Sequence, residues 1–352
     1  VDLLGLPALI GVITLAVLVT VVSLVVWKRL RGPAVVQVLQ RLLLILLCQV
    51  TALAVVGVSV NRQYEFYATF GEFLNENSAQ AAPPPQQQHV IDPPSAASTV
   101  KFVPYGNDGV RVATVSGPVS GIRAQVYVWV PPQYKADRTK RFPVVELLPG
   151  FPGPAHNWFT MMNVTKLMAQ EANPAILVSV TTQVRSGQDA DCTDLPGGPQ
   201  VQTWVATDVR RMVESAFRTT RDRRGWATMG YSEGGYCAVK VAVQHPRDFS
   251  AAVSLSGYLT PTAPAVTRSP RLLAANDMLK VLGRRHPRVS LLAMATRQDA
   301  ATAMDVSRLR SVAKSPTQVF SSILAAGGHN YGVWNAMLPQ AVSWLTAHLS
   351  AA

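Results

Sequence analysis

The residues best suited to chemistry lie at Gly230-Tyr231-Ser232-Glu233-Gly234, a G-x-S-x-G pattern. The apolar run Trp226-Ala227-Thr228-Met229 precedes it. The stretch from Gly235 through Cys237 and Lys240 to Val243 follows and reads as a helix. Strand, sharp turn and helix in that order hold a serine hydroxyl on a strained tip, where a histidine can take its proton. The first amides of the helix can then face a developing oxyanion. Such a serine attacks a carbonyl and carries the acyl group as a covalent intermediate. The bare pattern arises by chance in roughly one chain of this length in ten, so its placement between strand and helix carries the inference.

A serine nucleophile needs a base, and the base needs an orienting carboxylate. On a mostly parallel sheet these follow the serine in the order acid, then histidine, on loops after later strands. His329, in Ala326-Gly327-Gly328-His329-Asn330-Tyr331, falls between the last apolar strand and the closing helix. The other histidines fit less well. His89 lies in a linker, His245 ends a helix, His286 precedes a strand and His348 is on the last helix. His156 comes before the serine, in a loop that could meet substrate. For the acid, Asp299 follows the strand 289–295, and Asp305 is the alternative six residues on; Asp277 is on the wrong side of that strand.

Runs 110–115 and 123–130 read as an antiparallel hairpin, the second alternating through Val126, Val128 and Val130. Residues 143–148 form a short buried strand ahead of Pro149-Gly150-Phe151-Pro152-Gly153-Pro154, the position from which a second oxyanion amide is supplied. Helices are expected at 158–172, 201–217 and 333–349, and strands at 175–180, 251–257, 289–295 and 318–325. This alternation argues for a mostly parallel sheet covered by helices on both faces.

The first hundred residues are different. Residues 3–26 and 42–60 are apolar runs long enough to cross a bilayer as helices, and they account for a mean hydropathy of +0.17. Lys28, Arg29, Arg31 and Arg41 lie between the runs with no acidic residue among them. The short basic loop is therefore expected on the cytoplasmic side, with everything after Val60 outside. A cleaved signal peptide would carry a basic start, whereas this chain begins Val-Asp-Leu-Leu. The domains expected are a two-helix anchor (1–62), an extracytoplasmic Pro/Gln-rich linker (63–100) and a folded domain (101–352).

Charge and cysteines narrow the class further. Residues 1–100 carry five Lys/Arg and five Asp/Glu, so the net charge of +12 belongs wholly to 101–352. That surface favours the membrane and anionic envelope polymers as partners; with no basic-aromatic module, nucleic acid is not expected. Outside the cytoplasm Cys192 and Cys237 can persist as a disulfide tying the loop 189–200 to the nucleophile helix, the alternative being two buried thiols. Asp189, Asp191 and Asp194 match no full calcium loop, and neither a metal nor an organic cofactor is expected.

Four stretches together resemble a known family. They are Gln202-Thr203-Trp204-Val205-Ala206-Thr207-Asp208-Val209, Gly230-Tyr231-Ser232-Glu233-Gly234-Gly235, His245-Pro246-Arg247-Asp248-Phe249 with Leu255-Ser256-Gly257, and His329-Asn330-Tyr331-Gly332-Val333-Trp334. In this order, over roughly 105–350, they resemble the esterase-D-like α/β-hydrolases and most of all the secreted mycolyltransferase antigens of mycobacteria and their actinobacterial relatives. The resemblance implies an α/β-hydrolase fold, here preceded by two transmembrane helices. It implies Ser232 as nucleophile, His329 as base, a carboxylate that here would be Asp299, and oxyanion amides from Phe151 and Glu233. The mycolyltransferases have Asp-Gly-Leu-Arg where this chain has Pro149-Gly150-Phe151-Pro152, and their acid is a glutamate. Esterase chemistry on an acyl ester or lipid therefore carries over, and mycolyl specificity does not. The alternative is a catalytically silent relative that binds anionic lipid or wall polymer.

Overall fold

The unbroken apolar runs become the middle of one nine-stranded sheet. The computed structural model describes residues 6–64, 100–106, 108–185 and 188–350. The strands are β1 (Val103–Tyr105), β2 (Val110–Ser116), β3 (Arg123–Trp129), β4 (Val144–Leu148), β5 (Ile176–Val180), β6 (Trp226–Tyr231), β7 (Ala251–Leu255), β8 (Ser290–Thr296) and β9 (Gln318–Leu324). They lie in the order β1-β2-β3-β5-β4-β6-β7-β8-β9. The β1-β2-β3 end is antiparallel and joins β5 antiparallel; every pairing from β5 to β9 is parallel. Every residue of β4, β5, β6 and β7 is buried, as expected for strands covered on both faces. Strand β2 and edge strand β9 are only partly buried.

The helices are α1 (Leu6–Trp27), α2 (Ala34–Tyr64), α3 (Val164–Gln170), α4 (Val201–Ala216), α5 (Glu233–Gln244), α6 (Pro270–Asn276), α7 (Met278–Arg284), α8 (Ala300–Val312) and α9 (Tyr331–His348), with single turns between them. Two sequence expectations are corrected here. The helix expected over 158–172 is broken into Asn157–Thr160 and α3, with Asn163 between them held by Asn335, whose Oδ1 accepts its amide and whose Nδ2 donates to Met161 O. Residues 264–284, given no helix in advance, fold into three short ones, started by Pro264, Ser269–Pro270 and Asp277.

Helix α4 contains a π-helical segment, Trp204–Val209. There the indole of Trp204 donates to Thr181 O, and the Asp208 carboxylate accepts from Val119 N and Ser120 N. These bonds tie the helix to the end of β5 and to the turn that closes the β2–β3 hairpin.

The chain divides into two compact units, one of 1–78 with Ala325–Gly332 and one of Ala79–Leu324 with Val333–Ala352. In the first, α1 and α2 pair through Cys48 Sγ and Ser23 Oγ, and Arg41 lies over the Trp27 ring. Arg41 is thus inside α2 rather than in the connecting loop, which keeps Lys28, Arg29 and Arg31. Both helices are long and apolar enough to cross a membrane, and their apolar side chains are mostly exposed. The linker expected at 63–100 lies almost entirely outside the described residues.

Among the described residues of the sheet, one buried carboxyl lacks a hydrogen-bond partner. Glu146, in the middle of β4, is fully buried and neither carboxyl oxygen is hydrogen-bonded. Burial pushes its pKa up to about 8, against the pull of Arg210. The unfolded chain releases this proton near the ordinary glutamate value, so the native state holds more protons between the two pKa values and loses stability as pH rises through that window. Glu146→Gln is expected to stabilise the fold by roughly 3 kcal/mol at pH 7 and by little at pH 4.5. Urea unfolding at the two pH values checks this.

Candidate active site

Ser232 sits where β6 becomes α5, with φ 55° and ψ −127°. A side chain in that region costs about 1–3 kcal/mol and persists only when its surroundings impose it. Here they do. Ser232 N donates to Leu255 O on the adjacent β7, and Ser232 O accepts from Gly235 N and Tyr236 N to start the helix. A Cβ at Gly230 would lie 1.9 Å from Gly234 O, and one at Gly234 would lie 2.0 Å from Leu148 O. Both glycines are therefore required by close backbone approach. Thr228 Oγ1 bonds Ala238 O and fastens the strand to the helix it feeds.

The loop after β4 comes directly against this turn. A Cβ at Gly150 would lie 2.9 Å from Ser232 Cβ, so the backbone at Gly150 borders the serine. Phe151 is 38 % exposed. The loop is clamped by one side chain. Gln183 Nε2 donates to Gly150 O (2.9 Å) and Gly153 O (3.1 Å), and Gln183 Oε1 accepts from Gly153 N (3.3 Å). Nothing in the sequence marked Gln183, because its role depends on β5 lying next to β4. Beneath the turn, Tyr231 is buried between Trp158 and Trp334, whose ring centroids are 5.2 and 4.5 Å away.

Glu233, Cys237 and Lys240 are spaced i, i+4 and i+7, and this stripe of α5 faces the loop 189–194. Cys237 is joined to Cys192 by a disulfide. Lys240 is fully buried, and its Nζ donates to Cys192 O (2.9 Å), Thr193 Oγ1 (2.6 Å) and Asp191 O (3.4 Å). Burial brings its pKa down to about 7. The Glu233 carboxyl faces that of Asp189, with an oxygen of each within 4.8 Å of the other. Burial, reinforced by Asp189 and Asp191, holds Glu233 well above the usual carboxylate range, and burial lifts Asp189 to about 6.

Oxygens of Asp189, Asp191 and Glu233 lie within 4.8 Å of one another, a spacing a cation could use. Both oxygens of Asp191 are already engaged, however, by Tyr258 OH and by the amides of Thr262 and Ala263. Asp194 is turned away and caps α4 through Thr203 N and Oγ1. With Lys240 supplying the local positive charge, a proton shared by Asp189 and Glu233 fits this donor set better than a metal ion.

The remaining candidates follow the carboxyl ends of parallel strands. Asp299 comes three residues after β8, is 3 % exposed, and caps α8 by accepting from Thr302 N. Asp305 lies within α8, where its carboxylate accepts from Leu259 N (2.8 Å) and pairs with Arg308. His329 is in Ala325–Gly332, between β9 and α9, and belongs to the first unit, whereas Ser232 and Asp299 belong to the second. His156 packs against the rings of Tyr105 and Tyr127, and His245 caps the end of α5 beside Gln202 and Asp248.

The family model described as "Putative esterase" matches residues 119–345. The chain belongs to the esterase family. It is accordingly a hydrolase with the α/β-hydrolase fold. A curated protein of Corynebacterium glutamicum described as uncharacterized is 24% identical over 329 residues, covering 86% of this chain and 75% of its own. Among solved structures, an S-formylglutathione hydrolase from Agrobacterium tumefaciens superposes with a TM-score of 0.60 at 14% identity, covering 72% of this chain and all of its own. A ferulic acid esterase gives 0.56 at 20% identity, covering 68% of this chain and 98% of its own. MPT51 of Mycobacterium tuberculosis gives 0.53 at 18%, covering 72% of this chain and all of its own. At these identities the structures speak for the fold alone.

The clamp on the loop 150–153 makes a prediction about this esterase. Gln183→Ala frees two carbonyls and one amide from their partner beside Ser232. Turnover of a small ester is expected to fall about tenfold to a hundredfold, mostly in kcat. Steady-state kinetics checks this, with the melting temperature showing that the fold persists.

Proposed function

We propose that this chain is a membrane-anchored serine esterase or acyltransferase whose domain at 101–352 works on the outer side of the membrane. The observation that carries the reading is the backbone of Ser232, forced to positive φ by its neighbours, with the loop at Gly150 packed against it. Ser232 Oγ attacks the ester carbonyl while His329 takes its proton. Asp299 orients and charge-stabilises the histidine. The amides of Phe151 and Glu233 receive the negative charge on the carbonyl oxygen. The alcohol leaves with the proton from His329, and the acyl group stays on Ser232. Water or a sugar hydroxyl, deprotonated by the same histidine, then takes the acyl group and returns Ser232 to its free form.

Asp299 is favoured as the acid because Asp305 is already committed to Leu259 N and Arg308. The anchor rests on α1 and α2, each long and apolar enough to cross a membrane and exposed along many of its leucines and valines. Lys28, Arg29 and Arg31 between them favour a cytoplasmic connection, which puts the folded domain outside. An oxidising exterior also suits the Cys192–Cys237 bond.

Ser232→Ala removes only the nucleophile. Ester turnover by the detergent-solubilised protein is expected to drop about ten-thousandfold with an unchanged melting temperature. Turnover within tenfold of the wild type would overturn the assignment.

A further inference from the structure

A second site lies at the other end of the nucleophile helix. An open cleft of about 710 Å³ is lined by side chains from α6, α7, the end of α5 and the start of α4. Its floor is polar: Gln202 donates to Gln244 Oε1 and meets His245 Nε2, and Gln244 in turn donates to Ala275 O. Its rim carries Arg271, Lys280, Arg284 and Arg285, all exposed. Since α5 has 12 residues at about 1.5 Å each, the cleft is about 18 Å from Ser232 and belongs to no part of the esterase site.

The charges around it are not balanced by the protein. The segment 264–288 holds Arg268, Arg271, Lys280, Arg284, Arg285 and Arg288 against Asp277 alone. Asp277 is spent on capping α7 and pairing with Lys280 Nζ (3.0 Å). Asp194, the acid in the lining, is spent on Thr203. The guanidinium groups of Arg271, Arg284 and Arg285 make no ion pair or hydrogen bond among the described residues. Three unpaired cations around one cleft repel each other, and their planar forks match the oxygens of a phosphate group. A phosphate diester or diphosphate presents enough oxygens to engage several of them at once.

We propose that this cleft binds a phosphate-bearing ligand and so holds the domain to a phosphorylated component of its surroundings. The phosphate can come from a phospholipid headgroup or from a soluble phosphate ester. The site is independent of the reading of Ser232 as nucleophile.

The test uses the full chain in neutral detergent, with inorganic pyrophosphate and short-chain phosphatidylglycerol as probes and phosphatidylcholine as the comparison. Saturable binding that weakens with salt is expected for at least one anionic probe. In the triple variant Arg271→Ala/Arg284→Ala/Arg285→Ala it should weaken at least tenfold. An equal loss of charge elsewhere, Arg111→Ala/Arg123→Ala/Arg310→Ala, should change it less than twofold. Pyrophosphate binding assigns the site to soluble phosphate esters, and binding of phosphatidylglycerol alone assigns it to lipid. Failure of both probes to bind, or equal weakening by the two triple variants, overturns the proposal. The melting temperature reports on folding, and Arg271→Gln replaces the cleft triple variant if that does not fold.

Discussion

The structure turns on the contact between bare backbone at Gly230, Gly234 and Leu148. Positions that would hold a Cβ in any other residue are filled by carbonyl oxygens about 2 Å away, so strand β6, helix α5 and the end of β4 close on one another without side chains between them. That closeness forces Ser232 to positive φ and puts the next loop against it. The strain of one residue is small beside the burial of the strands β4 and β6 and of Glu233–Val243 in α5, which impose it. Residues elsewhere in the domain can therefore be understood as holding β4, β6 and α5 in register.

Two sets of contacts do this. On one side Gln183, from the end of β5, fixes the loop that borders the serine. On the other, Cys237 and Lys240 anchor α5 to the loop 189–194 by a disulfide and an ammonium group, with the Glu233 carboxyl facing Asp189 beside them. Asp191 in that loop then holds the segment after β7 through Tyr258, Thr262 and Ala263. Glu233, whose amide is proposed for the oxyanion, thus buries its side chain among the carboxyls of Asp189 and Asp191.

Much of this was legible in the chain. The central strands could be read because a strand buried on both faces is an unbroken apolar run, and the turn at Ser232 because its glycines are obligatory. The helix α5 could be read from its pattern, and the Cys192–Cys237 pair was one of two stated alternatives. What could not be read depends on tertiary neighbours. The break between Asn157–Thr160 and α3 comes from Asn335, some 170 residues on. The helices of 264–284 are too short to show a period, and Gln183 and the Glu233–Asp189 pair acquire their roles only when β5 and the loop 189–194 are brought in. Arg41 read as a loop residue because its apolar neighbours begin at Leu42, whereas the helix begins at Ala34.

The central claim is that Ser232 is an activated nucleophile. The most direct measurement is the mass of the intact protein after exposure to a fluorophosphonate, followed by mapping of the modified peptide. A single adduct on Ser232 is expected, formed by the wild type and absent from His329→Ala under the same conditions. An adduct on another serine, or a folded wild type that forms none, would contradict it.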